Sequence, residues 1–256
     1  MVMSCLRVLV TGATGRTGSL VVKKLQERSS QFEVRGFARS QSKLQDCYGT
    51  LDRFFVGDIR DRSSLEAAME GCQALVILTS AVPLLKGIPQ PGQPPQMEFA
   101  PGELPETIDY QGQVQQIDVA KALGVEQIVL VGSMGGTNPD HFLNKIGNGN
   151  ILIWKRKVEQ YLIDSGISYT IIRAGGLLDQ PGGKRQLLVG KDDVLLNQPP
   201  GGIAPSIPRS DVAEVVVNAL IEPAARNKAF DLISYPEGEP ITIDFAALFA
   251  QTTGGL

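Results

Sequence analysis

Residues 6–18 read LRVLVTGATGRTG, a short run rich in Val and Leu that leads into glycines at every third position. The apolar run predicts a strand over Leu6–Thr11 that is buried on both faces. Apolar residues at helical spacing from Leu20 to Leu25 predict a helix directly after the glycines. In such a strand, loop and helix unit, the glycines allow a tight turn, a close approach of backbone to a phosphate, and close packing of helix on sheet.

The glycine loop predicts a dinucleotide-binding site. Free backbone amides at the first turn of a helix attract an anion, and the helix dipole adds to this attraction. We therefore expect the loop to hold a pyrophosphate. The alternative is a glycine-rich turn that serves packing alone. The loop residues with this expected role are Gly12, Thr14, Gly15, Arg16, Thr17 and Gly18.

The alternation of apolar strands and amphipathic helices continues along most of the chain. Strands that alternate with helices at this spacing indicate right-handed crossovers and a parallel sheet covered on both faces. The predicted fold class is therefore α/β, with a doubly wound parallel sheet. Further strands are predicted over 33–38, 53–56, 74–79, 127–131, 168–172 and 229–233, and further helices over 41–46, 63–69, 108–123, 151–164, 211–221 and 244–251.

Two regions interrupt this rhythm within a single predicted domain, residues 1–256. Residues 83–105 contain seven prolines and no apolar period, so we interpret 83–107 as a loop excursion above the sheet. Glycines punctuate 175–208, which we interpret as a small C-terminal elaboration on the substrate side. Within it, 186–189 and 194–196 are expected to form a hairpin around Lys191-Asp192-Asp193.

The end of the second predicted strand bears on the choice of nicotinamide cofactor. An acidic residue there would bind the ribose diol of NAD, but the sequence reads Phe37-Ala38-Arg39-Ser40. Arg39 is suited to a bidentate contact with a 2′-phosphate, Ser40 adds a hydroxyl, and Arg16 is placed to reach the same group. These residues favour NADP. The alternative is that Arg39 stacks on adenine or lies in solvent, which would permit either cofactor.

Composition excludes several other classes of protein. The 24 Lys+Arg against 27 Asp+Glu leave no basic field for nucleic acid. No apolar run approaches the roughly 18 residues of a membrane span, so we expect a soluble protein. Three cysteines and one histidine lack metal-ligand spacing, and no metal site is predicted. A reducing compartment fits best, either the cytoplasm or, if a transit peptide has been removed, the plastid stroma.

The motifs together resemble those of the atypical short-chain dehydrogenase/reductases. More narrowly, the chain is similar, over nearly its whole length, to the NAD(P)-binding proteins of plants, algae and cyanobacteria in the NmrA-like and Tic62-like branch. It implies a Rossmann-type NAD(P)-binding domain. The motifs that carry the resemblance are TGATGRTG at 11–18, GDI at 57–59, VILTSA at 76–81, VGSMGG at 131–136 and YTIIRAG at 169–175.

The resemblance also implies cofactor contacts at the ends of the later strands. Asp58 would border the adenine together with Ile59, although an aspartate here could simply cap a turn. Residues 79–81 would line the adenosine ribose. The alternative is that they form an ordinary strand end with no contact to the cofactor. Many relatives have proline at the position of Ala174, so this chain departs from the pattern there. The ribose contacts are Thr79, Ser80 and Ala81, and those near the nicotinamide are Ser133, Met134, Ala174, Gly175 and Leu177.

The chain departs from the family at the catalytic position as well. Typical members place Tyr and Lys four residues apart on one helical face, where the Lys lowers the pKa of the phenol. Here Ile151 lies four residues before Lys155, so the tyrosine is absent. The resemblance makes Lys155 and Ser133 the candidate catalytic residues, with Lys155 hydrogen-bonded to the nicotinamide ribose. The alternative is an exposed Lys155 that pairs with Glu159.

Three further side chains leave alternatives open. Trp154 and Tyr161 are either core or interface aromatics, or surfaces on which a substrate stacks. His141 is either the missing acid or a solvated loop residue.

Two functions fit the sequence. One is an NADPH-dependent reductase of a conjugated small molecule, such as a flavin, quinone or tetrapyrrole, in which the cofactor supplies the chemistry. The other is a non-catalytic NADP(H)-binding redox sensor or scaffold. The sequence predicts neither the substrate nor the oligomeric state.

Overall fold

The computed structural model describes residues 5–87, 95–238 and 240–256. Within these residues, the strands in chain order are β1 (Leu6–Thr11), β2 (Phe32–Ala38), β3 (Phe54–Val56), β4 (Ala74–Ile77), β5 (Leu84–Leu85), β6 (Met97–Glu98), β7 (Gln127–Ser133), β8 (Ser168–Ala174), β9 (Gly176–Leu178), β10 (Leu187–Gly190), β11 (Ser206–Pro208) and β12 (Lys228–Ser234). Eight of them form one sheet in the order β10-β12-β8-β7-β4-β1-β2-β3. Every neighbouring pair in it is parallel except β10 with β12.

This strand order confirms the predicted doubly wound α/β fold. From β3 to β1 the order runs backwards along the chain, and from β4 it runs forwards, so the sheet has a topological switch point between β1 and β4. In open parallel sheets, ligands bind at the carboxyl ends of the strands beside this point. The glycine loop follows β1 directly, and therefore lies at the switch point.

Helices cover both faces of the sheet. They are α1 (Gly18–Glu27), α2 (Gln41–Tyr48), α3 (Arg62–Met69), α4 (Gly112–Ala122), α5 (Phe142–Lys145), α6 (Ile151–Asp164), α7 (Val194–Asn197), α8 (Arg209–Ala219) and α9 (Phe245–Ala250). A π-helical segment, Glu106–Gln111, leads directly into α4. One core lies under α1 and α8, and the other under α3, α4 and α6. Within the described ranges, every helix is too short or too polar to cross a bilayer.

The predicted hairpin around Lys191-Asp192-Asp193 is wrong. Strand β10 pairs antiparallel with β12, and the residues from Val194 form the helix α7. The reason is that Asp192 and Asp193 both adopt left-handed backbone conformations, with φ of +56° and +59°. This turn directs the chain into a helix, and tertiary contacts of Asp193 take the place of cross-strand pairing.

The proline-rich excursion contains more structure than its sequence pattern indicates. Strands β5 and β6 pair antiparallel on either side of residues 88–94, which lie outside the described residues. The helix expected from Ile108 begins at Glu106 with the π-helical segment. π-helical segments are rare and often occur at functional sites, so the side chains on this segment are candidates for a functional role.

Candidate functional site

The glycine loop connects the carboxyl end of β1 to the start of α1. Gly12 has a φ of +72°, in the left-handed region that favours glycine, and a Cβ there would lie 2.9 Å from the carbonyl oxygen of Leu78. A Cβ on Gly18 would lie 2.1 Å from the carbonyl oxygen of Gly12. Helix α1 can therefore approach the loop this closely only with glycine at position 18.

The loop also leaves backbone amides free for an anion. Within the described part of the chain, the amides of Thr14, Arg16 and Thr17 donate to no acceptor, whereas the amide of Gly15 donates to the carbonyl of Gly12 (2.9 Å). Free amides at the first turn of a helix are the usual ligands of a pyrophosphate. The loop thus fits a dinucleotide in addition to meeting the packing requirement.

Both arginines that the sequence assigns to a 2′-phosphate are engaged by carboxylates. Arg39 pairs with Glu103 from the excursion, and Arg16 pairs with Asp179. Ser40 is the N-cap residue of α2, and its hydroxyl accepts a backbone amide of the first helical turn (3.2 Å). A phosphate at this position would therefore compete with Glu103 for Arg39.

Asp58 lies in the turn after β3, where Arg60 holds its carboxylate. Arg60 Nε and Nη2 donate to the two carboxylate oxygens (2.8 and 2.6 Å), and its backbone amide donates to Oδ1 (2.9 Å). The side-chain bonds from Arg60 keep the pKa of Asp58 below its usual value. Ile59 is buried against α4, where a Cβ on Gly112 would lie 2.6 Å from it. Asp58 thus stabilises a turn, and adenine contact by either residue stays a prediction.

A buried carboxylate, Asp109, joins three of the predicted cofactor residues. Lys155 Nζ lies 2.7 Å from its Oδ1, Ser80 Oγ donates to the same oxygen (2.7 Å), and the Ala81 amide donates to Oδ2 (2.9 Å). Asp109 comes from the π-helical segment and is fully buried. Thr79 points elsewhere, since its hydroxyl accepts from a glutamine of α4 (3.2 Å). The cluster holds Lys155 beside the end of β4.

The alternative interpretation of Lys155, as an exposed lysine paired with Glu159, is wrong. Lys155 is only 8% exposed and pairs with Asp109 on a different element. Glu159 accepts from Arg173 (3.0 Å) and Arg156 (3.2 Å). The pairing follows from the approach of the π-helical segment to α6, which local sequence does not encode.

A cleft of about 550 Å³ opens at the carboxyl ends of β7 and β8. His141, Phe142 and Arg209 are among the residues that line it. It brings together the predicted residues Thr17, Ser80, Ser133, Met134, Lys155, Ala174, Gly175 and Leu177. Outside its lining lie Gly12, Thr14, Gly15, Arg16, Gly18, Arg39, Ser40, Asp58, Ile59, Thr79 and Ala81.

His141 belongs to the wall of this cleft. Its Nδ1 accepts from the backbone amide of Leu143 (3.3 Å), so the neutral imidazole carries its proton on Nε2. Ser133 presents a hydroxyl to the same cleft, and the Ser133 Oγ donates to the carbonyl of Met134 (3.0 Å). The cleft therefore contains an imidazole and a hydroxyl beside Lys155, although it lacks the family tyrosine.

An apolar chamber of about 140 Å³ adjoins the cleft, with Ser133, Leu143 and Lys155 common to both. Ile151, at the position of the missing tyrosine, lines this chamber. The remaining lining residues are Pro83, Phe99, Ile146 and Leu152. A cavity of this size and lining accommodates a group as large as a benzene ring.

The two aromatic residues of α6 lie outside the lining of the cleft. Trp154 packs near Tyr110, with ring centroids 5.5 Å apart, and Lys157 Nζ lies 4.1 Å from the centroid of the Trp154 ring. Tyr161 donates to Asp118 (2.6 Å), which raises the pKa of Tyr161 to about 12. These contacts favour packing roles, and Tyr161 is not a substitute for the missing phenol.

Buried charges form a network that connects the strands β8 and β12, the helix α6 and the turn before α7. Arg173 Nε donates to Glu159 (3.0 Å), and its Nη1 lies 3.8 Å from Asp231 Oδ1. The other oxygen of Asp231 accepts the backbone amide of Asp193 (2.8 Å). Burial, with a further contribution from the charge of Asp193, raises the pKa of Asp231 to about 6.

The carboxylate of Asp193 extends this network to the loop after β7. It accepts the Gly135 amide (2.7 Å), the Thr137 amide (2.8 Å) and the Thr137 hydroxyl (2.6 Å). Burial works to raise the pKa of Asp193, but the hydrogen bonds from Thr137 and Gly135 outweigh it and lower the pKa. Asp193 thereby anchors the segment between Ser133 and His141.

Comparison with known proteins identifies the family. A family model described as NAD(P)H-binding matches residues 12–223. The chain belongs to this family.

Among its relatives, an uncharacterised chloroplastic protein of Arabidopsis thaliana is 59% identical over 251 residues, which cover 97% of this chain and 76% of that protein. Sanguinarine reductase of Eschscholzia californica is 54% identical over 268 residues, covering 97% of this chain and 96% of that enzyme. The chloroplastic TIC 62 proteins match more distantly, which confirms the resemblance to the Tic62-like branch of atypical short-chain dehydrogenase/reductases.

A solved structure confirms the fold independently. A short-chain dehydrogenase/reductase of Veillonella parvula in complex with NADP superimposes with a TM-score of 0.62 at 13% identity, covering 88% of this chain and 93% of that one. Like other members of the NAD(P)H-binding family, this chain thus binds a nicotinamide dinucleotide.

Four site residues of this NAD(P)H-binding protein escaped prediction from the sequence. Asp109 and Glu103 lie next to or within the excursion, whose pattern is uninformative, and Asp193 was assigned to a turn. Asp231 could have been predicted, because a carboxylate in the otherwise apolar run FDLIS indicates a buried charge with a partner.

Proposed function

We propose that the protein is an NADPH-dependent reductase of a conjugated, largely apolar small molecule. One observation carries the proposal: Lys155, Ser133 and His141 converge on a cleft at the carboxyl end of the sheet, while an isoleucine and an apolar chamber take the place of the family tyrosine. Such a site suits hydride transfer to an acceptor that does not depend on a phenol for its proton.

The glycine loop and the end of β2 are proposed to hold the cofactor. The free amides of Thr14, Arg16 and Thr17 would bind the pyrophosphate, and Arg39 a 2′-phosphate. Lys155 would donate to the nicotinamide ribose, since Asp109 keeps its ammonium group at the cleft. The bound cofactor supplies the hydride. The preference for NADP over NAD rests on Arg39, Ser40 and Arg16.

The chain's own residues would orient the acceptor and stabilise the charge that forms on it. The apolar chamber receives part of the acceptor and excludes water from it. The Nε2 N–H of His141, which lines the cleft, is the proposed hydrogen-bond donor to the acceptor, and water supplies the proton that completes the reduction. A conjugated acceptor spreads the incoming negative charge itself, so the demand on this donor is smaller than in reduction of a simple ketone.

Non-catalytic binding is the less favoured reading. Its main support was the absent tyrosine, but a relative named as a reductase is 54% identical along nearly its whole length. The chamber beside Ile151 would also have no role in a sensor. Several relatives are chloroplastic proteins, which supports a location in plastids, in preference to the cytoplasm, as part of this proposal.

NADPH oxidation by the purified protein tests the proposal. The acceptors are a panel of quinones, flavins and enones, and the comparison includes His141→Phe and Asp140→Asn, a neighbouring control in the same loop. We expect turnover of at least one acceptor and a loss of about 10²-fold in His141→Phe alone, because its ring has no hydrogen-bond donor. Tight NADPH binding without turnover of any acceptor would favour the sensor.

A further inference from the structure

The carboxylate of Glu103 lies at the end of β2, where the sequence itself has no acidic residue. The NAD-type acidic residue is missing at the end of β2, where Arg39 follows Ala38. Glu103, more than 60 residues further along the chain, pairs with the guanidinium of Arg39. The strand end therefore presents both a cation and an anion to whatever binds there.

The pair is part of a charged cluster that anchors the excursion to the sheet. Arg60 holds Asp58 in a bidentate pair, and its Nη1 also donates to the carbonyl of Gly102 (3.1 Å), next to Glu103. The Glu103 amide donates to the carbonyl of Ala100 (2.9 Å), which forms the turn that presents its side chain. Two arginines and two carboxylates leave the cluster with a formal charge of zero.

A zero net charge has different consequences for the two cofactors. The 2′-phosphate of NADPH brings about two negative charges to the cluster, and it must displace the carboxylate from Arg39 to form its own bidentate contact. The 2′-hydroxyl of NADH brings no charge, and it can donate to a carboxylate that stays in place. Exposure favours such an exchange, because the Arg39 side chain is 56% exposed and the pair is correspondingly weak.

We propose that Glu103 is a specificity-determining residue, whose carboxylate competes with the 2′-phosphate of NADPH for Arg39 and accepts the 2′-hydroxyl of NADH. This inference rests on the proposed dinucleotide site and deepens it. The protein accepts both nicotinamide cofactors, with a preference for NADPH that Glu103 reduces. Residues of the excursion thus take part in cofactor choice.

Calorimetric titration of NADPH and NADH tests this inference without reference to turnover. The variants are Glu103→Gln, Arg39→Gln and the control Glu106→Gln, an exposed glutamate three residues further along the same segment. In Glu103→Gln we expect the Kd for NADPH to fall about two- to fivefold, as an exposed ion pair is worth little. The Kd for NADH should rise about fivefold, because a neutral acceptor replaces a charged one.

The opposite directions distinguish this role from structural damage. Arg39→Gln should weaken NADPH about tenfold or more and leave NADH within about twofold, and the control should change neither. If Glu103→Gln moves both dissociation constants in the same direction, or moves neither, the inference is overturned while the dinucleotide site stands. If the unmodified protein binds neither cofactor, the proposed function itself fails.

Discussion

Removal of the Lys155 ammonium group separates its structural role from its role at the cofactor. The perturbation is Lys155→Met, which keeps most of the side-chain volume. Asp109 is fully buried and would lose its only cationic partner within the described residues, while it keeps the hydrogen bonds from Ser80 and Ala81. Removal of one partner of a buried ion pair lowers the free energy of unfolding by about 3–5 kcal/mol. Because Asp109 keeps two hydrogen bonds, we expect a loss near the lower limit, about 3 kcal/mol.

This loss corresponds to a fall in Tm of roughly 6–12 °C for a chain of this size. The double variant Lys155→Met with Asp109→Asn should recover most of the stability, since the amide can donate to Ser80 and accept from Ala81. Cofactor affinity should stay about tenfold weaker in both, because neither contains the ammonium group. Thermal unfolding and NADPH titration measure the two effects. A single variant as stable as the double variant, or a double variant with restored affinity, would refute the reasoning.

Two further predictions concern close packing and pH. Gly18→Ala should lower the free energy of unfolding by about 1–3 kcal/mol and abolish NADPH binding, because its Cβ would meet the Gly12 carbonyl at 2.1 Å, whereas Ser19→Ala in the same turn should bind normally. The pKa of Asp231 is raised in the folded state to about 6, so its protonated form stabilises the fold at low pH and this stability is lost as pH rises from about 4 to 6. Urea unfolding of Asp231→Asn should therefore show a gain in the free energy of unfolding over the unmodified protein that grows by about 2–2.5 kcal/mol from pH 4 to pH 7, and a constant difference would contradict the assignment.

Local patterns predict the fold well because each element has a periodicity that its neighbours do not disturb. The run LRVLVT becomes β1 over the same residues, and the apolar spacing of 151–164 becomes α6 without a shift. The order of the parallel strands then follows from right-handed crossovers. The predicted hairpin near Asp193 is wrong because a short apolar run beside a turn does not identify the strand with which it pairs. Its partner is β12, in which Ser234 pairs with Leu187 and Asp231 with Gly190, far along the chain.

The candidate site was less accessible to prediction, because its residues meet through tertiary contacts. The family motifs predict Lys155 and Ser80 near a ribose. The residue that joins them, Asp109, lies on the π-helical segment after a proline-rich stretch, and no motif indicates it. The absence of an acidic residue after β2 was correctly observed, and Glu103 supplies one from another part of the chain. Sequence spacing identifies groups on one element, and cannot identify those that tertiary packing adds.

Transfer of an isotopic label tests the central claim most directly. NADPH deuterated at its reacting carbon is mixed with the protein and an acceptor from the quinone, flavin and enone panel, and the product is analysed by mass spectrometry. For a reductase of the kind proposed, the deuterium from one face of the nicotinamide appears in the reduced acceptor. Where the transferred deuterium exchanges with water in the product, it is still lost from the cofactor from that one face only. A cofactor that stays fully labelled and unoxidised with every acceptor, although it binds tightly, would contradict the reductase.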